Sequence, residues 1–137
     1  MLRFISSWAL PILLILLIQG VASRGLLTDV PAPELSGMLV EGPIYPGIGA
    51  EKKPILIYVW GSWCGICKAM QSSIDRVAKD HRVISVALRS GNARAIHDYM
   101  ESQGFKVPTI PDEDGRLGEA LGVRGVPALF FVDRNGL

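Results

Sequence analysis

Two cysteines stand three positions apart in Trp63-Cys64-Gly65-Ile66-Cys67-Lys68, and the 137-residue chain has no others. A pair this close cannot staple a small fold, because the loop it closes hardly restricts the unfolded chain. Its chemistry depends on where it sits. At the first turn of a helix, unpaired backbone N–H groups and the positive dipole end stabilise a thiolate, lower its pKa and make it nucleophilic near neutral pH. A second cysteine one turn on faces the same side and can attack a mixed disulfide formed by the first. Such a pair cycles between dithiol and disulfide. Two thiolates also suffice for Cu(I), and they are half of a structural zinc site.

The neighbouring sequence supplies that helix terminus. Ile55-Leu56-Ile57-Tyr58-Val59-Trp60 is nearly all apolar, as a strand buried on both faces should be. Residues 64–80 come next, with Ile66, Met70, Ile74 and Val77 spaced as one helical face. Residues 83–88 read as a second buried strand. Asn92 can cap a helix carrying Ile96, Tyr99 and Met100, closed by Gly104. Leu117, Ala120 and Leu121 mark a short helix after the turn Asp112-Glu113-Asp114-Gly115, and residues 128–132 are a third apolar strand. The alternation predicts an α/β sandwich with a largely parallel central sheet. Asp133-Arg134-Asn135-Gly136 is a hairpin signal with a single residue after it, so we expect the domain to be truncated at its C-terminus.

Residues 4–22 carry no charge and come directly after Arg3. Nineteen residues in a helix span roughly 28 Å, close to a hydrocarbon core. A cleaved signal peptide ending near Gly20, Ala22 and Ser23 is the competing reading. Both export the remainder of the chain, and we favour the uncleaved anchor. The expected organisation is an anchor or signal over 1–24, a Pro/Gly-rich linker over 25–50 with one short strand around Met38-Leu39-Val40, and a folded domain over 51–137. Apolar residues at 49% and charged residues at 20% support a packed core, and a formal charge of +1 argues against a nucleic-acid partner.

Trp60-Gly61-Ser62-Trp63-Cys64-Gly65-Ile66-Cys67 resembles the W-x-x-W-C-x-x-C signature of the thioredoxin superfamily, and Gly125-Val126-Pro127 resembles its cis-proline loop. The likeness runs from about Lys53 to Leu137. The added stretch over 105–121 is similar to the membrane-anchored, exported reductases of the TlpA and cytochrome-c-maturation type. Tyr58, Trp60, Trp63, Cys64 and Cys67 together resemble the ScsD-like proteins of bacterial copper-tolerance systems. The resemblance implies a thioredoxin-like fold, a mixed sheet flanked by helices, here without its final strand and helix. It implies a thiol–disulfide oxidoreductase with Cys64 as nucleophile and Cys67 as resolving cysteine. Trp63, Val126 and Pro127 would meet the substrate, with Val126-Pro127 a cis bond. The expected setting is a bacterial inner membrane, single-pass, with the domain in the periplasm. Its partners would be a protein disulfide or dithiol and a second protein that recharges the pair. No metal or organic cofactor is implied. Two positions depart from thioredoxin itself. Tyr58 stands where a buried Asp takes the resolving cysteine's proton, so the relay must run through water or another group. Gly65-Ile66 replaces Gly-Pro, a dipeptide that tunes potential over roughly 150 mV in the family.

Other readings of the same residues are weaker. Zinc would need a second ligand pair, and neither His81 nor His97 has ligand spacing. A copper(I)-binding or copper-delivery module is the alternative function, but Ser62 stands where copper carriers place a Met. Asp112, Asp114 and Glu119 hint at a calcium loop whose Gly falls too early for an EF-hand. Trp60 reads as core, Trp63 as an apolar rim for a partner chain, and Lys68 as a solvated helical residue.

Overall fold

The computed structural model describes residues 31–50 and 52–137, together with Ile12. The expected anchor over 1–24 lies, Ile12 apart, outside the described residues. Among those described, no helix is long and apolar enough to cross a membrane.

The sheet is organised around β3 (Ile55–Trp60), all six residues of which are buried. β4 (Arg82–Leu88) pairs with it in parallel, Ile55 opposite Arg82 and Trp60 opposite Ala87. β5 (Thr109–Asp112) pairs with β4 in parallel, and β6 (Ala128–Val132) pairs with β3 antiparallel, giving the order β5-β4-β3-β6. The sheet is therefore mixed. Between β5 and β6 the chain stays at the end of the sheet where β4 finishes: Gly118 of α3 (Arg116–Ala120) packs on Leu88, the last residue of β4. The chain thus enters β6 from the end where β3, β4 and β5 finish, and can only run backwards beside β3. That same end holds the cysteines.

α1 (Gly65–Val77) is shorter than the expected 64–80, and its buried face differs. Cys67, Gln71 and Ile74 point inward, while Ile66 is 68% exposed and Val77 lies at the surface. The cause is the cap. Cys64 sets the helix phase so that Cys67 meets the sheet, and Ile66, about 100° away around the helix, cannot. α2 (Ala93–Gln103) forms as expected: the Asn92 side chain accepts from Ala95 N–H at 3.0 Å, and Gly104 closes it in the left-handed region at φ 65°.

β5 has no counterpart in the sequence reading, because four residues that include Pro111 carry little periodic signal. Proline is tolerated there because β5 ends the sheet, where a missing N–H breaks no ladder. Residues 31–50 depart further from expectation. The supposed linker contains β1 (Gly37–Met38) paired antiparallel with β2 (Ile44–Tyr45), and Val40 N–H donates to Thr109 O at 2.9 Å beside β5. Leu35, Tyr45 and Ile48 are buried against Ile55, Ile57, Val59, Ile84 and Val86. The reason is exposure avoided: α1 and α2 cover only one face of the sheet, and without these residues the other would present a row of aliphatic side chains to water.

Candidate active site

β3 ends at Trp60, and Gly61-Ser62-Trp63 turns the chain into α1, with Cys64 N–H donating to Gly61 O at 3.0 Å. The turn depends on Gly61, since a Cβ there would stand 2.6 Å from Cε2 of the Trp63 indole folded back over it. Ser62 N–H donates to Ser90 Oγ at 2.9 Å, and that hydroxyl donates to Leu88 O at 3.1 Å. The Trp63 indole N–H donates to the same carbonyl at 3.3 Å. The loop is thus tied to the end of β4 at two points.

Cys64 is the N-cap of α1, with Cys67 N–H donating to its Sγ at 3.2 Å and Lys68 N–H to its carbonyl at 3.1 Å. The cysteines are joined in a disulfide, their Cα atoms 5.2 Å apart. Cys67 is fully buried, whereas Cys64 keeps 9% of its surface exposed. The opening at Cys64 is narrow because the neighbouring loop closes on it: Cys64 Sγ lies 3.7 Å from Val126 O. Val126 also packs against the cluster that contains both cysteines. The Val126–Pro127 bond is cis. Trp63 is 63% exposed beside Cys64, while Trp60, three residues earlier, is wholly buried.

Beneath the disulfide, Tyr58 is buried and donates its hydroxyl to Cys67 O at 3.0 Å. Burial, aided by neighbouring Tyr99, pushes its pKa up to about 12, so it is a neutral donor that anchors the first turn and not a base. Trp60 stacks on Tyr99 at 5.3 Å and meets Phe105 edge-on at 5.7 Å. Its indole N–H donates to Ser85 Oγ at 3.0 Å, and the Ser85 and Thr109 hydroxyls share a 2.7 Å hydrogen bond.

The sequence reading missed Ser90 and Gln71. Ser90 lies in a loop with no periodic pattern, so nothing local signals its role. Gln71 was legible in principle, four residues after Cys67 and therefore on its face. Its amide is buried, and neither its oxygen nor its nitrogen has a partner among the described residues. His97 stands apart from the cysteines, with Nε2 3.6 Å from Glu41 and Nδ1 3.5 Å from Asp98. One ligand atom each from His97, Glu41 and Glu101 lies within 4.8 Å of the others. His97 does therefore have a carboxylate at helical ligand spacing, contrary to the sequence reading.

Residues 47–137 match the family model for the thioredoxin-like domain. A thioredoxin-like protein of Haemophilus influenzae is 34% identical over 86 residues, covering 62% of this chain and 52% of its own length. The thiol:disulfide interchange protein DsbE of Pseudomonas fluorescens biotype C is 33% identical over 141 residues, covering 93% of this chain and 78% of its own. The chain thus spans between about half and four fifths of these two curated relatives. Among solved structures, the exposed lipoprotein thioredoxin of Streptococcus pneumoniae superposes with TM-score 0.68 at 26% identity, covering 77% of this chain and 84% of its own. A disulfide capped into the start of α1, the Val126-Pro127 loop against it and the matching family model lead to one assignment: the chain belongs to the thioredoxin-like family.

Proposed function

We propose that the protein is a thiol–disulfide oxidoreductase that exchanges its Cys64–Cys67 pair with protein substrates. The observation that carries this reading is the asymmetry of the pair. Cys64 caps α1, receives the Cys67 N–H and keeps 9% of its surface open to solvent, while Cys67 is fully buried behind it. In the dithiol form the helix terminus stabilises a Cys64 thiolate. That thiolate attacks one sulfur of a substrate disulfide, forming a mixed disulfide and expelling the other substrate sulfur as a thiolate. The Cys67 thiolate then attacks Cys64 Sγ and releases the second substrate thiol. The protein is oxidised to its disulfide and the substrate reduced by two electrons. A second dithiol partner must recharge the pair, and the same steps in reverse would oxidise a substrate. Trp63, next to Cys64 in the chain, Val126, whose carbonyl lies 3.7 Å from Cys64 Sγ, and Pro127 after it are the proposed substrate contacts. Residues 4–22 are the proposed tether, holding the domain on the periplasmic side of a bacterial inner membrane.

The relatives named as thiol:disulfide interchange proteins support this reading. Cys67→Ser should accumulate a mixed disulfide through Cys64 that non-reducing electrophoresis and mass spectrometry detect. Trapping by Cys64→Ser alone would reverse the two roles. Binding of Cu(I) without any disulfide exchange would favour copper delivery. N-terminal sequencing of the exported form tests the tether, since a mature start near Ser23 or Arg24 would leave a soluble periplasmic protein.

A further inference from the structure

Beside Trp63 an open groove of about 600 Å³ runs between the end of β4 and the loop from α3 to β6. Its floor is low because Gly118 packs directly on Leu88; a Cβ there would stand 2.7 Å from Leu88 Cδ1. Arg89 and Arg124 line it, with Glu119 as the acidic group in the same wall. The exposed Arg89 guanidinium lies close over Gly115, where a Cβ would stand 2.7 Å from its Nε, and its backbone has φ 45°. Arg124 is exposed two residues before Val126, the residue against Cys64. Neither guanidinium enters an ion pair among the described residues, although Arg94 and Arg116 both do.

We propose that this groove receives an extended, acidic segment of the substrate protein, with Asp or Glu flanking the cysteine that Cys64 attacks. The inference rests on the oxidoreductase reading and deepens it by naming the substrate's chemistry. A segment laid past Val126 so that its sulfur meets Cys64 Sγ continues under Trp63 into the groove. There the exposed wall carries two unpaired cations against Glu119. The Asp112 carboxylate beneath Gly118 is buried and taken up by the Leu117 and Gly118 N–H groups, so the open side of the groove favours negative charge. Charges at the edge of a docking site act mainly on encounter rate and on the choice of partner. The preference is therefore screened by salt.

The test uses the reduced full-length protein and three peptide disulfides of equal length, with Asp, Ser or Lys around the cysteines. At low salt the acidic peptide should be reduced about three- to tenfold faster than the basic one, the ratio falling towards one at high salt. Arg124→Glu should erase or invert the ratio, and Glu119→Lys should raise it. A ratio near one in the wild type at low salt, or one that Arg124→Glu leaves intact, overturns the groove's role while the neutral peptide is still reduced. Failure to reduce any of the three peptides overturns the oxidoreductase reading, and this inference with it.

Discussion

The two faces of the sheet come from the same strands and differ in kind. Under α1 and α2 lie Tyr58, Trp60, Ser85 and Thr109, a layer of aromatic rings and hydroxyls joined by hydrogen bonds. On the other face Ile55, Ile57, Val59, Ile84 and Val86 are aliphatic and are closed over by Leu35, Tyr45, Ile48 and Leu121. Aliphatic packing is strong and non-directional, so it stabilises the sheet without aiming any atom. A hydrogen bond such as Tyr58 to Cys67 O fixes a position as well. The face that carries the disulfide is the one built from directional contacts.

Substitutions that separate stability from redox behaviour test this division. Trp60→Ala should have the largest effect, costing about 3–5 kcal/mol. It should also change the Cys64–Cys67 reduction potential, because Trp60 shares a buried cluster with both cysteines and carries the Ser85 bond. Leu35→Ala should cost about 2–4 kcal/mol in denaturant unfolding and leave the potential where it was. An unaltered stability would return residues 31–50 to the status of a linker.

Tyr58→Phe should cost about 1 kcal/mol at neutral pH through the lost hydrogen bond. Its signature lies at high pH. The folded protein holds this phenol up to about 12 against an ordinary 10.0, so the folded state keeps a proton that the unfolded chain releases. Stability from this source is complete below pH 10 and declines as pH rises towards 12; Tyr58→Phe should remove that decline in urea titrations. Gln71→Met should have an effect of similar size and opposite sign. Removing a buried amide without partners at similar volume should stabilise by about 1 kcal/mol. A destabilised variant would reveal a partner for Gln71, and a shifted potential would place that partner at Cys67.

The parts of the molecule legible in the chain are those governed by near neighbours. Helix α2 is marked by Asn92, Ile96, Met100 and Gly104, all within one short stretch. The apolar run Ile55–Trp60 and the cysteine spacing likewise locate the Cys64–Cys67 pair at a strand-to-helix junction. Caps and periodicity act over about four residues, which is why they can be read without the fold. Val126-Pro127 was legible through its resemblance to a known loop and through its position, after a glycine and just before an apolar strand.

The rest arises from packing between distant segments. Val126 reaches Cys64 across 62 positions because α3 and the loop after it lie against Leu88, at the end of the sheet that holds the cysteines. Ile66 faces solvent and Cys67 the core because the cap sets the phase of α1, against the apolar spacing. The Pro- and Gly-rich residues 31–50 are part of the domain because the far face of the sheet needs a cover. Arg89 and Arg124 flank one groove only once β4 and the α3–β6 loop are laid side by side. Composition and local pattern carry no record of such neighbours, since the free energy that selects them comes from burial shared between segments far apart in sequence.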